Sequence, residues 1–372
     1  MEKTGIITFH SAYNYGSVLQ AFATQEAVKK LGCDPEIINY RLKEQKIIYS
    51  NIRFKYGLKS FIRDLTLLPV YGKRKEKYRR LEDFFKEKLV LTAEAEEPED
   101  VSMIWGKYPV IISGSDQIWN KHSLELQAND WKYMGPYLLD GYSGRKVSYA
   151  SSTANMTDAE LERIKPQLDD FSRIAMREPS SAEKISAMLG KSVESVLDPT
   201  FLLNKDEWIE KLSLKKAEGD YILFYSLGGP TPFSRVKADL QAFSEKLGCK
   251  VRVVTPFCRV AASKYFEPHP EYGPVDFMNA IYNAKAVVTD SYHGTILSVN
   301  FGKDVYSLCK KGGSEFRKTE VLERIGLGER ILYDSNGILS KDFAPVEYAA
   351  VYEKLQVLRE HSMSYLEEIL RD

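Results

Sequence analysis

Residues 5–40 read GIITFHSAYNYGSVLQAFATQEAVKKLGCDPEIINY. Gly5 to His10 is a short apolar run, the pattern of a buried strand. A polar turn, Ser11 to Ser17, follows. Val18 to Leu31 sets apolar residues at helical spacing, and Gly32 is the expected stop. Glu36 to Tyr40 is a second strand-like run. Strand, helix and strand in succession predict a β-α-β unit, and with it a parallel, doubly wound sheet.

The alternation continues along the chain. Further strands are expected at 108–114, 146–150, 172–177, 192–197, 221–227, 250–255, 286–289 and 304–308. Capping-box spacings occur at Thr157/Glu160, Ser180/Glu183 and Asn204/Glu207. Asp276 is the expected N-cap of a helix running to Ala284. Helices are also expected at 234–247, at 295–301 and at the terminus, 345–372. No short internal repeat is present. The fold class expected is α/β, with two Rossmann-like domains and parallel sheets. They are placed at 1–204 and 205–344, with the helix 345–372 packing back on the first.

Composition narrows the function. Among 372 residues, 52 Lys and Arg balance 52 Asp and Glu, so a general nucleic-acid binder is not expected. At 44% hydrophobic residues the chain can build cores and is not disordered. No apolar run reaches the roughly 18 residues that a membrane span needs. The first residues carry no signal-peptide core, so a cytoplasmic location is the expectation. The four cysteines include no C-x-x-C pair and the five histidines no H-E-x-x-H, so no metal site is expected. Residues 43–88 hold 14 Lys and Arg against 6 Asp and Glu, and the acidic run Glu94 to Asp100 follows. That reads as solvated helices closing on an acidic loop, or as a surface for an anionic or lipid-linked partner at a membrane face.

Ligands in open α/β sheets sit beyond the carboxyl ends of strands, against helix N-termini. Four turns have suitable residues there. His10 to Ser17 offers Asn14 and Gly16, which tolerate close backbone approach, although an ordinary turn has the same composition. Gly114 to Asn120 offers small residues, Asp116 as acceptor for hydroxyls and Trp119 to stack on a sugar. The alternative for Asp116 is an N-cap of a following helix. Met176 to Ser181 offers Arg177 to grip a carboxylate or phosphate, or to pair with Glu178 or Asp198. Ala286 to Thr295 offers His293, an anion ligand or a general acid at a helix N-terminus.

Five segments carry a resemblance: HSAYNYGSVLQA (10–21), GSDQIWN (114–120), AMREPSS (175–181), VLDPTFLL (196–203) and VTDSYHGTILS (288–298). In them the chain resembles the polysaccharide pyruvyl transferase family. The resemblance implies a GT-B-like pair of Rossmann-like domains, the first for the acceptor and the second for the donor. It implies transfer of pyruvate from phosphoenolpyruvate to two hydroxyls of a glycan or lipid-linked sugar, closing a cyclic ketal for the cell envelope or an exopolysaccharide. Phosphoenolpyruvate is a co-substrate, and no cofactor is implied. By motif position, His293 contacts the phosphate or acts as acid, and Arg177 holds the donor. The family often places an arginine two residues before this histidine, where this chain has Ser291. Arg317, with Lys318 beside it, is the candidate replacement cation.

The expected site therefore has His293 and Asp116 as catalytic residues. Arg177, Ser291, Gly294, Thr295, Arg317 and Lys318 are expected on the donor side. His10, Asn14, Tyr15, Gly16, Gly114, Ser115, Gln117 and Trp119 are expected on the acceptor side. Asp116, His10 and Asp290 remain alternatives for the general base. A nucleotide-sugar glycosyltransferase and a non-catalytic sugar-binding relative are the competing readings, because fold does not fix function.

Overall fold

The computed structural model describes residues 3–48, 68–126, 131–217, 219–227, 233–255, 260–310, 315–333 and 344–371. Part of the basic stretch (49–67), Cys258, Gly313 and Ser314 lie outside the described residues.

The chain forms two units. One comprises Met1–Tyr49, Phe84–Leu203 and Leu355–Asp372, the other Ser50–Asp83 and Asn204–Lys354. This differs from one cut at 204/205 with a return at 345. Two of the boundaries, 83/84 and 354/355, fall inside the long helices Tyr71–Lys88 and Tyr348–Arg371. A helical sequence pattern does not mark where along its length a helix changes unit.

In the first unit, β1 (Lys3–Ile7), β2 (Asp34–Ile37), β3 (Val110–Ser113) and β4 (Arg145–Ser148) form a sheet of order β2-β1-β3-β4. All its pairs are parallel. β5 (Ala175–Met176) and β6 (Glu194–Ser195) form a short parallel pair. Single bridges, Val147 to Arg173 and Ser151 to Met176, tie the chain beyond β4 to it. Every residue of β3 is buried, as expected of a strand covered on both faces. Helix Tyr15–Lys30 is buried continuously from Tyr15 to Gln25. It starts three residues before Val18, because the Asn14 side chain caps it by accepting from the Gly16 N–H.

The second unit has six parallel strands: β7 (Tyr221–Tyr225), β8 (Lys250–Val254), β9 (Phe266–Pro268), β10 (Ala286–Thr289), β11 (Asp304–Leu308) and β12 (Ile331–Leu332). Their order is β12-β11-β10-β7-β8-β9. β10 and β11 have the bounds expected from sequence. β9 and β12, of three and two residues, are too short to leave a pattern.

Two helix starts are corrected. Asp276 is not an N-cap. Gly273 holds that position, and Asp276, three residues on, accepts the Gly273 N–H. Ser180 opens no capping box, because Glu178 precedes a helix whose first residue is Pro179. The boxes at Thr157/Glu160 and Asn204/Glu207 both form. Among the described residues no helix is long and apolar enough to cross a membrane.

The chain order within each sheet locates the ligand side. In the first unit the strand order reverses between β1 and β3, and in the second between β7 and β10. Such reversals open a crevice at the carboxyl edge of the strands.

Candidate functional site

Asp116 stands just past the end of β3, at the first of these reversals. Its backbone has φ 77°, a left-handed conformation that aspartate tolerates better than most residues. No helix follows it, so the N-cap alternative does not hold. The Ser17 hydroxyl, from the first turn of helix Tyr15–Lys30, donates to Asp116 Oδ2 at 2.8 Å. The Gln117 N–H donates to Oδ1 at 2.8 Å. Arg177 Nη1 lies 3.8 Å from Oδ1. Asp116 is thus oriented from three sides and is 5% exposed.

Arg177 belongs to a buried charge cluster. Its side chain is 1% exposed. Nε donates to Glu178 Oε1 at 3.0 Å and Nη1 to Asp198 Oδ2 at 3.2 Å. Ser152 donates to Glu178, and the Thr200 N–H and hydroxyl both donate to Asp198. The pairing alternative read from sequence is the one formed. Arg177 is thus paired within its own unit and lies beside Asp116.

Several expected acceptor residues are in the core. Trp119 is 0% exposed, donates its indole N–H to the Tyr137 carbonyl and packs edge-on to Phe171. It has no face for a sugar. His10 is buried between Asn39 Oδ1, 2.9 Å from Nε2, and the Thr8 carbonyl, and burial lowers its pKa. Ser115 donates to the Ala150 carbonyl, and its own carbonyl accepts from Thr8. Gly114, at φ 136°, is needed for packing, since a Cβ would lie 2.0 Å from the Tyr149 carbonyl oxygen. Tyr15 and Gly16 are buried, whereas Asn14 and Gln117 stay partly open. Sequence reasoning missed Ser17, although it lies in the quoted motif. Its role depends on a contact 99 residues away.

At the second reversal, helix Tyr292–Asn300 starts directly beyond β10 and is buried throughout. Ser291 is its N-cap, accepting from the Gly294 N–H at 3.2 Å. The serine hydroxyl therefore closes the helix end in the position where an arginine was sought. A Cβ on Gly294 would lie 2.6 Å from Thr289 Oγ1 and 2.9 Å from Tyr225, so glycine lets the helix press against the sheet. Thr295 donates to the Ser291 carbonyl and contacts Ser307, so it serves packing as well. His293 sits in the first turn, 6% exposed, with its ring edge-on to Tyr292.

Asp290, on the same turn, joins the ends of β10 and β7. It accepts from the Ser226 hydroxyl at 2.7 Å and from the Leu227 N–H at 2.9 Å. Burial raises its pKa, against those two hydrogen bonds and the charge of Lys318. Lys318 is not an open cation. Its ammonium donates to the carbonyls of Asp290 and Leu308 and pairs with Glu315. It braces the ends of β10 and β11. Arg317 is only partly buried on the same helix, Phe316–Arg324. Among the described residues no group of His, Cys, Asp and Glu could hold a metal ion.

Two Rossmann-like units, each with oriented polar side chains at its sheet reversal, define an α/β protein of the GT-B-like fold class. Within that class the chain belongs to the polysaccharide pyruvyl transferase family, whose model matches residues 14–308. Among solved structures it is similar to a UDP-GlcNAc 2-epimerase from Neisseria meningitidis bound to UDP-GlcNAc. That match has 10% identity and a TM-score of 0.57 and covers 100% of both chains. It is also similar to UGT89C1 from Arabidopsis thaliana complexed with UDP, at 10% identity and a TM-score of 0.49, covering 98% of this chain and 100% of the other. At these identities the likeness concerns the fold alone. No curated protein matches the chain significantly.

Proposed function

We propose that the protein transfers pyruvate from phosphoenolpyruvate to two hydroxyls of a glycan or lipid-linked sugar. The observation that carries this reading is the family match over residues 14–308, which includes both Asp116 and the His293 turn. The reaction balances without a cofactor. A general acid protonates the methylene carbon of phosphoenolpyruvate, and C2 becomes electrophilic. One sugar hydroxyl attacks C2 and gives up its proton to a base. The C2–O bond to phosphate breaks and inorganic phosphate leaves. The second hydroxyl attacks C2, its proton returns to the deprotonated acid, and the cyclic ketal closes.

His293 is assigned to the donor, as the acid or as a phosphate contact at the helix N-terminus. Asp116 is assigned to the acceptor hydroxyl as base, held by Ser17 and, through Arg177, by the buried cluster. Arg317 is the donor-side cation in place of an arginine at position 291. Asp290 acts by holding the His293 turn.

The GT-B-like fold favours one second reading, a glycosyltransferase using a nucleotide sugar. Calorimetric titration of wild type, His293→Ala and Arg317→Ala separates the two. Phosphoenolpyruvate should bind wild type and bind both variants at least tenfold more weakly. Binding of UDP-GlcNAc with none of phosphoenolpyruvate would overturn the pyruvyl reading.

A further inference from the structure

Gln20 lies on helix Tyr15–Lys30, one turn past Ser17, and is 0% exposed. Its amide nitrogen donates to Thr8 Oγ1 at 2.8 Å and to the Ser17 carbonyl at 2.9 Å, with the Phe9 carbonyl at 3.5 Å. Its amide oxygen is buried and has no hydrogen-bond partner among the described residues. A buried acceptor without a donor is costly, so other contacts must hold the side chain this way round. Turning the amide over would not relieve it, because the oxygen would then face the Ser17 carbonyl, which can only accept.

Both of the shorter bonds lead to Asp116. Thr8, also 0% exposed, accepts from Gln20 and donates its own O–H to the Ser115 carbonyl at 2.8 Å. That carbonyl belongs to the peptide leading into Asp116, whose φ of 77° needs support from its surroundings. The Ser152 N–H holds the far side, donating to the Asp116 carbonyl at 3.0 Å. Ser17 holds the carboxylate at 2.8 Å. One side chain therefore joins the arm that fixes the Asp116 backbone to the arm that aims its carboxylate. Hydrogen bonds in such a chain polarise one another, so the two arms strengthen together. We propose that Gln20 is a positioning residue for Asp116, acting through Thr8 and Ser17, and that its unmet oxygen is retained for that orientation. This role rests on Asp116 serving as the base for the acceptor hydroxyl.

The test compares the full chain of wild type with Thr8→Val, Gln20→Met and the double variant. Amide hydrogen exchange is read first, because it needs no substrate. The Gln117 N–H, which donates to Asp116 Oδ1, and the Ser152 N–H should exchange about tenfold faster or more in both single variants. Amides between β1 and β3 should keep their wild-type exchange. Gln20→Met should melt close to wild type, because the unmet oxygen leaves together with the lost bonds. Phosphate release from phosphoenolpyruvate is then followed with the glycan that wild type turns over. Each single variant should lose about 10–100-fold in kcat, with KM for phosphoenolpyruvate within about twofold. The double variant should be no worse than the poorer single one, since both act on one chain of bonds. Thr8→Ser, which restores the hydroxyl, should regain most of the lost kcat. Unchanged exchange at Gln117 and Ser152, or faster exchange with unchanged kcat, would overturn the positioning role. Faster exchange in the variants of a protein that releases no phosphate would count against pyruvyl transfer while supporting Gln20 as the brace of Asp116.

Discussion

Replacing Arg177 with methionine separates a buried brace from a donor-gripping arginine. The guanidinium lies 3.0 Å from Glu178 and 3.2 Å from Asp198, whose side chains are 1% and 0% exposed, and 3.8 Å from Asp116. Methionine would fill much of the volume but leave these carboxylates without their cation. Removing one partner of a buried pair costs about 3–5 kcal/mol. In a unit of this size each kcal/mol moves Tm by about 2–4 °C. Arg177→Met should therefore melt about 6–20 °C below wild type, by differential scanning calorimetry without ligand. Adding Glu178→Gln and Asp198→Asn should recover part of the loss, because the orphaned charges disappear with them. A variant that melts within about 2 °C of wild type yet fails to bind phosphoenolpyruvate would refute the buried-brace account.

Four further outcomes are expected. His293→Gln should lower kcat for phosphate release by about 10²–10⁴-fold without changing the circular dichroism spectrum. Ser17→Ala, which leaves Asp116 in place but unsteadied, should lower kcat more than it raises KM for phosphoenolpyruvate in steady-state assays. Gly294→Ala should cost about 1–3 kcal/mol in chemical denaturation, because its Cβ would meet Thr289 and Tyr225 below 3.0 Å. Asp290 has its folded pKa raised above 3.8, so the native state holds its proton more tightly than the unfolded chain. Its contribution is complete below that value and is lost as pH rises through the raised pKa. Wild type should lose stability relative to Asp290→Asn over that window, as read by urea melts at stepped pH.

The parallel sheets were legible because their strands are apolar runs joined by helices with readable ends. Gly5 to Tyr40 alone gives the β-α-β unit, and β10 and β11 were delimited to the residue. The exchange of Ser50–Asp83 between units left no mark, because helix Tyr71–Lys88 has one continuous pattern on both sides of the boundary. Within the site, His293 and Asp116 could be read from their place after buried strands. Burial could not. Trp119 and His10 lie in the right motifs, but the packing of Phe171 and Asn39 against them puts them inside. Arg177 and Lys318 are cations that sequence offers to a ligand and the fold spends on its own carboxylates and carbonyls.

Turnover tests the pyruvyl transfer most directly. The protein would be incubated with phosphoenolpyruvate and a panel of glycan and lipid-linked sugar acceptors, with phosphate release and acceptor mass followed together. One phosphate should be released per acceptor modified, with a product heavier by one pyruvate less one water. That product should be absent with His293→Gln. Glycosylation of the same acceptors from a nucleotide sugar, with phosphoenolpyruvate untouched, would contradict it.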